Sequence, residues 1–355
     1  MIRVHPKVSA LLAHGDVHGV RDALQAAIEL EHSVIPPYLY ALYSLAPGGS
    51  TAVSGIIRSV VNEEMLHLTL AANLLSAVGG RPVLDSPEVL PRYPGPLPGT
   101  VDDGLIVGLA PFSVSLVRDT FMVIEQPERP LDFGGAVPDQ DDGEPLTIGQ
   151  FYRRIRTTLV ALGEGAFTGR RHHQVTTDLL PGAIAVTGLA SACHAIDTII
   201  DQGEGTFTSP LEVTGPNVAH YYRFAEIAHG RRLIRNPAAG PKAPPGQRYV
   251  YAGDPVTVNP AGIRHAPLDP KLAAYPAGSA AQRACQAFNY TYTSLLKSLH
   301  ATFNGTPREL KSAIGLMASL QRQATDMMMG TAPDGSPVGP SFEWQPTDLG
   351  IPSPA

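Results

Sequence analysis

The feature that most constrains this chain is the way proline and glycine are segregated from long stretches of helical period. Its 34 prolines and 35 glycines concentrate in three stretches, Pro82 to Gly104, Gln126 to Pro145 and Asn236 to Pro276. The segments between repeat apolar residues every three to four positions. The first predicted helix runs roughly from Val17 to Tyr43, with Leu24, Ala27, Ile28, Ile35 and Tyr38 on one face. Pro36 and Pro37 are expected to kink or interrupt it, since neither donates to the helical ladder. A second spans about Ala52 to Val78, with Val53, Ile57, Val60, Leu74 and Val78 on one stripe, and Gly79-Gly80 stops it. Further helices are predicted over about Ser113 to Glu125, Ile148 to Leu162, Gly182 to Gln202 and Asn217 to His229. Two more lie near the C-terminus, at Ala280 to Phe303 and Pro307 to Met329. The Gly182 to Gln202 segment is apolar nearly all round and reads as central. No hairpin dipeptide stands between alternating runs, and no repeat of fixed spacing occurs. The expectation is an all-α helical bundle with long Pro/Gly-rich excursions and additional C-terminal helices: one domain over 1-355, with its core at about 17-230, an excursion at about 236-276 and a helical pair at about 280-330.

Composition removes competing classes. With 43% apolar and 16% charged residues, the chain can bury a core and is not a disordered type. A net charge of -6 and the lack of a basic run with interleaved aromatics argue against nucleic acid as a partner. The N-terminal residues contain no apolar signal core, and no apolar run is long enough to span a bilayer. A cytoplasmic protein with no membrane partner is therefore expected. Cys193 and Cys285 are too few for a disulfide framework and read as reduced thiols.

The sharpest chemical signal is Glu63-Glu64-Met65-Leu66-His67. On a helix, Glu64 and His67 are i and i+3 and project from one face. Glu-x-x-His arises often by chance, but this pair sits on the core-facing stripe, where an unpaired carboxylate is costly. Glu63, i−4 from His67, is a lesser candidate. Glu31 interrupts the apolar face of the first helix and Glu125 closes that of the third. Buried carboxylates held by Arg, Tyr or backbone groups would explain any one of these alone; four ligand-type residues on three helical faces favour a metal. Glu204, in the Asp201-Gln202-Gly203-Glu204-Gly205 run, and His220 could complete the site. They are not an i, i+3 pair, and each also reads as structural. His32 and His194 read as structural, His172-His173 as a solvated loop pair, and Met327-Met328-Met329 as core packing.

These residues also carry a resemblance. Ala27-Ile28-Glu29-Leu30-Glu31-His32-Ser33-Val34-Ile35-Pro36-Pro37-Tyr38-Leu39 is similar to the opening signature of the ferritin-like domain of iminophenyl-pyruvate dimer synthases. So is the run from Asn62 through Glu64, His67 and Asn73 to Leu75, followed by Gly79-Gly80. Phe121 to Pro127, Ile148 to Tyr152, Asp201 to Gly205 and His220 to Phe224 resemble the family in the same order. So do Phe288-Asn289-Tyr290 and Leu299 to Gly305, so the likeness spans about residues 20 to 330. Members of that family act in violacein- and indolocarbazole-type biosynthesis, joining two arylpyruvate imines, made by an amino-acid oxidase, into a dimer. Those relatives are larger and some are associated with haem; this chain has no obvious haem-attachment motif.

The resemblance implies Glu31, Glu64, His67, Glu125, Glu204 and His220 as metal-site residues. A mostly carboxylate set with imidazole suits iron, one or two ions, better than zinc. The expected activity is a non-haem iron oxidoreductase using oxygen on an amino-acid-derived, aromatic or imine small molecule in bacterial secondary metabolism. A homo-oligomer is compatible with it. Tyr38, Tyr221 and Tyr222 are candidates to line the substrate pocket, though core packing explains them equally well. The alternatives are a metal-binding or storage bundle without catalysis, and a scaffold whose site has decayed.

Overall fold

A computed structural model describes residues 2–101, 105–128, 130–131, 145–206, 208–212 and 217–346. Parts of the second Pro/Gly-rich stretch, including residues 132–144, lie outside the described residues. After a single helical turn at Pro6–Ser9, helix α1 (Val17–Tyr43) and helix α2 (Thr51–Ala77) form the longest packed pair. Asp16 caps α1 by accepting from the Gly19 amide at 2.8 Å. At the end of α2, Gly79 takes φ +78°, and the Gly80 amide reaches back to the Leu75 carbonyl at 2.8 Å, the wrapped ending that glycine permits.

α1 runs unbroken through Pro36 and Pro37, both buried, contrary to the expected interruption. A continuous helix would have the residue-37 amide donate to the Ser33 carbonyl, and proline lacks that donor. The Tyr93 hydroxyl supplies it from another segment, 2.6 Å from Ser33 O, so one freed acceptor is satisfied without a break.

Helical segment α3 covers residues 114–124. In it Val117–Phe121 forms a π turn between Val114–Leu116 and Met122–Ile124. Such turns widen the helix by one residue and are common beside functional sites; here one further turn, Met122–Ile124, leads from it to Glu125. Helix α4 (Ile148–Leu162) starts in a reciprocal cap. The Thr147 hydroxyl accepts from the Gln150 amide at 3.1 Å, and the Gln150 side chain accepts from the Thr147 amide at 2.8 Å. Helix α5 (Leu189–Glu204) begins later than the apolar run beginning at Gly182 suggests and is not buried all round. Ala192, Ala195, Ile196 and Ile199 face the core while His194 and Asp197 are exposed. Helix α6 (His220–His229) crosses near the π turn.

Two strands follow that the sequence reading did not anticipate. β1 (Arg231–Arg235) pairs antiparallel with β2 (Tyr249–Pro255), in the register Leu233 to Tyr251 and Arg235 to Tyr249. The first strand is anchored by the buried Glu226 of α6, which accepts from the Leu233 amide at 2.8 Å and from Arg232 at 2.6 Å. Helices α7 (Ala280–Phe303) and α8 (Leu310–Met329) pack on each other and against α1 and α2. At the end of α8, Met327 and Met328 are buried and Met329 is exposed. Among the described residues no helix is long and apolar enough to cross a membrane, and both cysteines are free.

Candidate metal centre

The inner faces of α1 and α2 deliver Glu31, Glu64 and His67 to one place because each lies on its helix's buried stripe. All three are nearly inaccessible, at 7%, 3% and 2% exposure. Glu125, at the end of α3, and His220, the first residue of α6, come to the same spot from the other side. His220 Nδ1 lies 2.7 Å from Glu64 Oε1 and 3.4 Å from Glu125 Oε2. His67 Nδ1 lies 3.7 Å from Glu64 Oε2 and 3.9 Å from Glu31 Oε2. The two imidazoles stack with centroids 5.3 Å apart. One ligand atom from each of Glu64, His67 and His220 lies within 4.8 Å of the others, a spacing that allows a shared ion.

Both histidines are held by their far nitrogens. His67 Nε2 is 2.9 Å from Gln202 Oε1 on α5, and His220 Nε2 is 2.9 Å from Glu63 Oε2. An acceptor on Nε2 places a proton there, so in the neutral imidazole Nδ1 is the lone-pair nitrogen facing the carboxylates, the arrangement that orients metal-ligating histidines. Glu63 is itself fixed by Arg223, which also bridges to the buried Glu212 and hydrogen bonds Ser59 at 3.0 Å. On the carboxylate side, the Tyr152 hydroxyl donates to Glu31 Oε1 and the Tyr38 hydroxyl to Glu125 Oε1, each at 2.5 Å.

The protonation pattern follows from packing these groups together. Burial, with Glu64 and then Glu125 adding repulsion, holds the Glu31 carboxyl well above the ordinary range. Burial also opposes ionisation of Glu64, but His220 and His67 outweigh it and hold Glu64 well below. For Glu63, His220 and Arg223 overcome burial and bring it down to about 2. His220 is pushed down by burial, yet Glu64, Glu125 and Glu63 together hold its proton well above the usual histidine range.

The six residues implied by resemblance do not all stand alike. Glu31, Glu64, His67, Glu125 and Glu204 line one cavity of about 60 Å³ together with Tyr152 and Gly149. Glu204 sits at its edge, 3.0 Å from the Gly149 amide and 3.9 Å from Arg153. Burial raises its carboxyl to about 7 against the pull of Arg153. A Cβ at Gly149 would fall 2.3 Å from Glu204 Oε1 and displace that carboxylate. Of the three tyrosines, Tyr38 touches the cluster through Glu125. Tyr221 and Tyr222 lie instead in a separate apolar group with Leu131, Leu233 and Tyr249, where the Tyr222 hydroxyl accepts from the Leu131 amide at 2.9 Å. Gln202, Tyr152, Arg223 and Glu212 were not among the residues singled out by sequence, because their partners lie on other elements. The one local hint was Glu63, adjacent to Glu64.

The donor set fits a metal ion. The Nδ1 atom of His220 is buried and near two carboxylates, yet makes no hydrogen bond of acceptable direction. A buried polar atom left this way calls for a partner, and carboxylate oxygens with imidazole nitrogens are the ligands of di-metal helical bundles.

Fold and site define a ferritin-like protein. The family model described as Ferritin-like matches residues 24–229, more than half of the 355 residues, and the chain belongs to that family. The dichlorochromopyrrolate synthase of Lentzea aerocolonigenes is 27% identical over 379 aligned residues, which cover 90% of this chain and 35% of that protein. The chain thus spans about a third of the length of this curated relative, 35%. A crystal structure of a ferritin-like protein from Caulobacter vibrioides is 24% identical, with a TM-score of 0.61 covering 92% of this chain and 97% of that one. That likeness supports the fold alone.

Proposed function

We propose that the chain is a non-haem, iron-dependent oxidoreductase acting on an amino-acid-derived aromatic or imine molecule in secondary metabolism. The observation that carries the reading is the convergence of Glu31, Glu64, His67, Glu125 and His220 in one buried cluster, each histidine presenting Nδ1. Glu31, Glu64, His67, Glu125 and His220 would hold one or two iron ions, with Glu204 at the cavity edge as a further carboxylate. Iron bound there supplies the redox chemistry and oxygen activation that the side chains lack.

The protein's own residues have separable tasks. Gln202 and Glu63 keep each Nδ1 aimed inward. Tyr38 and Tyr152 hold one oxygen of Glu125 and Glu31 and leave the other free. Glu31 and Glu204, whose protons are retained by burial, are placed to give up or take a proton as charge in the cavity changes. The buried cluster keeps bulk water away from the reacting centre. The name of the Lentzea relative, dichlorochromopyrrolate synthase, supports a biosynthetic role and a product that contains a pyrrole, an aromatic ring.

The test is oxygen uptake by the iron(II) protein against a panel of amino acids, arylpyruvates and their imines. Uptake stimulated by an aromatic member, and abolished in Glu64→Ala, supports the reading. Loading of many ions per chain, with uptake indifferent to every organic compound, refutes it in favour of storage.

A further inference from the structure

The cavity at the metal centre, about 60 Å³, holds roughly two waters at about 30 Å³ each. An aromatic molecule does not fit there without displacing side chains. A second, larger space lies where α7 and α8 close against α1 and α2. Its volume is about 450 Å³, about three times the 150 Å³ engineered cavity that takes up benzene. Natural interiors keep few voids larger than a water molecule, so an apolar chamber this size is not ordinary packing slack.

The chamber opens to solvent beside Asn62, Pro181 and Ile314, which are exposed, and runs in to walls that include Leu68, Leu296, Ala313 and Leu320, all 2% exposed or less. The wall from α7 and α8 lies beyond residues 24–229, the span matched by the family model, so this chain's C-terminal helices build it. Its chemistry favours rings. The imidazole of His32 and the phenol of Tyr292 line it as a stacked pair, centroids 6.0 Å apart and planes at 23°. The thioethers of Met65 and Met317 line it too, and sulfur contacts aromatic edges favourably. Among the described lining residues there is no lysine or arginine, and the one carboxylate, Glu63, is already held by His220 and Arg223. An anionic ligand would find no cationic side chain among these lining residues.

From these features we infer that the chamber between α1, α2, α7 and α8 binds a neutral aromatic small molecule of one or two ring systems. Glu63 stands at its wall and, on the other side, holds His220 of the metal cluster, so an occupant lies one side chain away from a ligand-bearing residue. The amino acids, arylpyruvates and imines of the proposed function carry a carboxylate, so this neutral-ligand chamber is separate from their site and its binding does not rest on that reading.

The experiment is an indole titration of the 355-residue chain labelled with ¹³C in its methionine methyl groups, without iron or turnover. Met65 and Met317 line the chamber, whereas Met122 and Met328 lie elsewhere in the fold. Saturable shifts of the Met65 and Met317 signals, with Met122 and Met328 unmoved, are expected. Ala313→Phe, which puts a ring into the chamber where the ligand would lie, should weaken the apparent affinity at least tenfold. No saturable shift at Met65 and Met317, or undiminished binding in a folded Ala313→Phe protein, overturns the inference. Saturation by dodecanoate but not by indole overturns its aromatic assignment and gives the chamber to an acyl chain. If the filled variant does not fold, the methionine shifts of the unaltered chain decide. Because no iron takes part, failure of the oxidoreductase reading leaves this result standing.

Discussion

Arg223 is the most informative single side chain to remove. It is 4% exposed and bridges Glu63 and Glu212, both poorly accessible, while hydrogen bonding Ser59 at 3.0 Å. Arg223→Met preserves much of the aliphatic volume but leaves the buried Glu212 without its cation, facing Glu63, which keeps only His220. Breaking a buried pair by removing one partner costs about 3–5 kcal/mol. The unfolding entropy is about 2.1 cal/mol/K per residue, so the 355 residues give about 0.75 kcal/mol/K when treated as one cooperative unit. The melting temperature should therefore fall by about 4–7 °C in differential scanning calorimetry. Adding Glu212→Gln removes that stranded charge, so the double variant should recover part of the loss, a coupling that separate sites would not show. An Arg223→Met protein melting within a degree of wild type, or a double variant whose losses simply add, would refute the view that this arginine neutralises a buried acidic pair.

Three other outcomes follow from the same geometry. Gln202→Leu leaves His67 Nε2 without its acceptor and should lower metal affinity about 10–100-fold, as loss of an outer-shell partner does; titration with a competing chelator reads this, and an unchanged affinity contradicts the assigned role. Metal binding should release protons and weaken as pH falls, because Glu31 and His220, both held above their ordinary values, must lose protons to bind an ion; calorimetry in buffers of different ionisation enthalpy measures the release, and none detected at pH 6 contradicts it. Gly169→Ala, whose Cβ would sit 1.7 Å from the Ser76 carbonyl oxygen, should destabilise by about 1–3 kcal/mol by urea denaturation, while Gly165→Ala, with open space at its Cβ, should not show that clash.

What could be read from sequence was whatever depends on residues near one another along a helix. Glu31 and the Glu64–His67 pair stood out because a charged residue on an apolar stripe breaks a 3.6-residue period. The α4 boundaries, Ile148–Leu162, matched because their cap is local. The strands β1 and β2 were missed because they lie in or beside a Pro/Gly-rich stretch, with pairing set by contacts 14 to 24 residues apart, such as Arg235 with Tyr249 at 14. The unbroken passage of α1 through Pro36 and Pro37 depends on Tyr93, 60 residues from Ser33, which no local rule contains. The partners of the two histidines, Gln202 and Glu63, likewise come from elements 135 and 157 residues away in sequence. Tyr221 and Tyr222 follow His220 directly, but they point into the apolar group beside the strands.

The central claim is that Glu31, Glu64, His67, Glu125 and His220 form a metal site, and elemental analysis after anaerobic reconstitution with iron(II) tests it most directly. Wild type should retain about one or two ions per chain on the di-metal bundle pattern after passage over a desalting column. His67→Ala should lose most of that metal, while His172→Ala, at an exposed turn, should keep it. A wild-type protein holding no transition metal, or equal metal in the two histidine variants, would contradict the account.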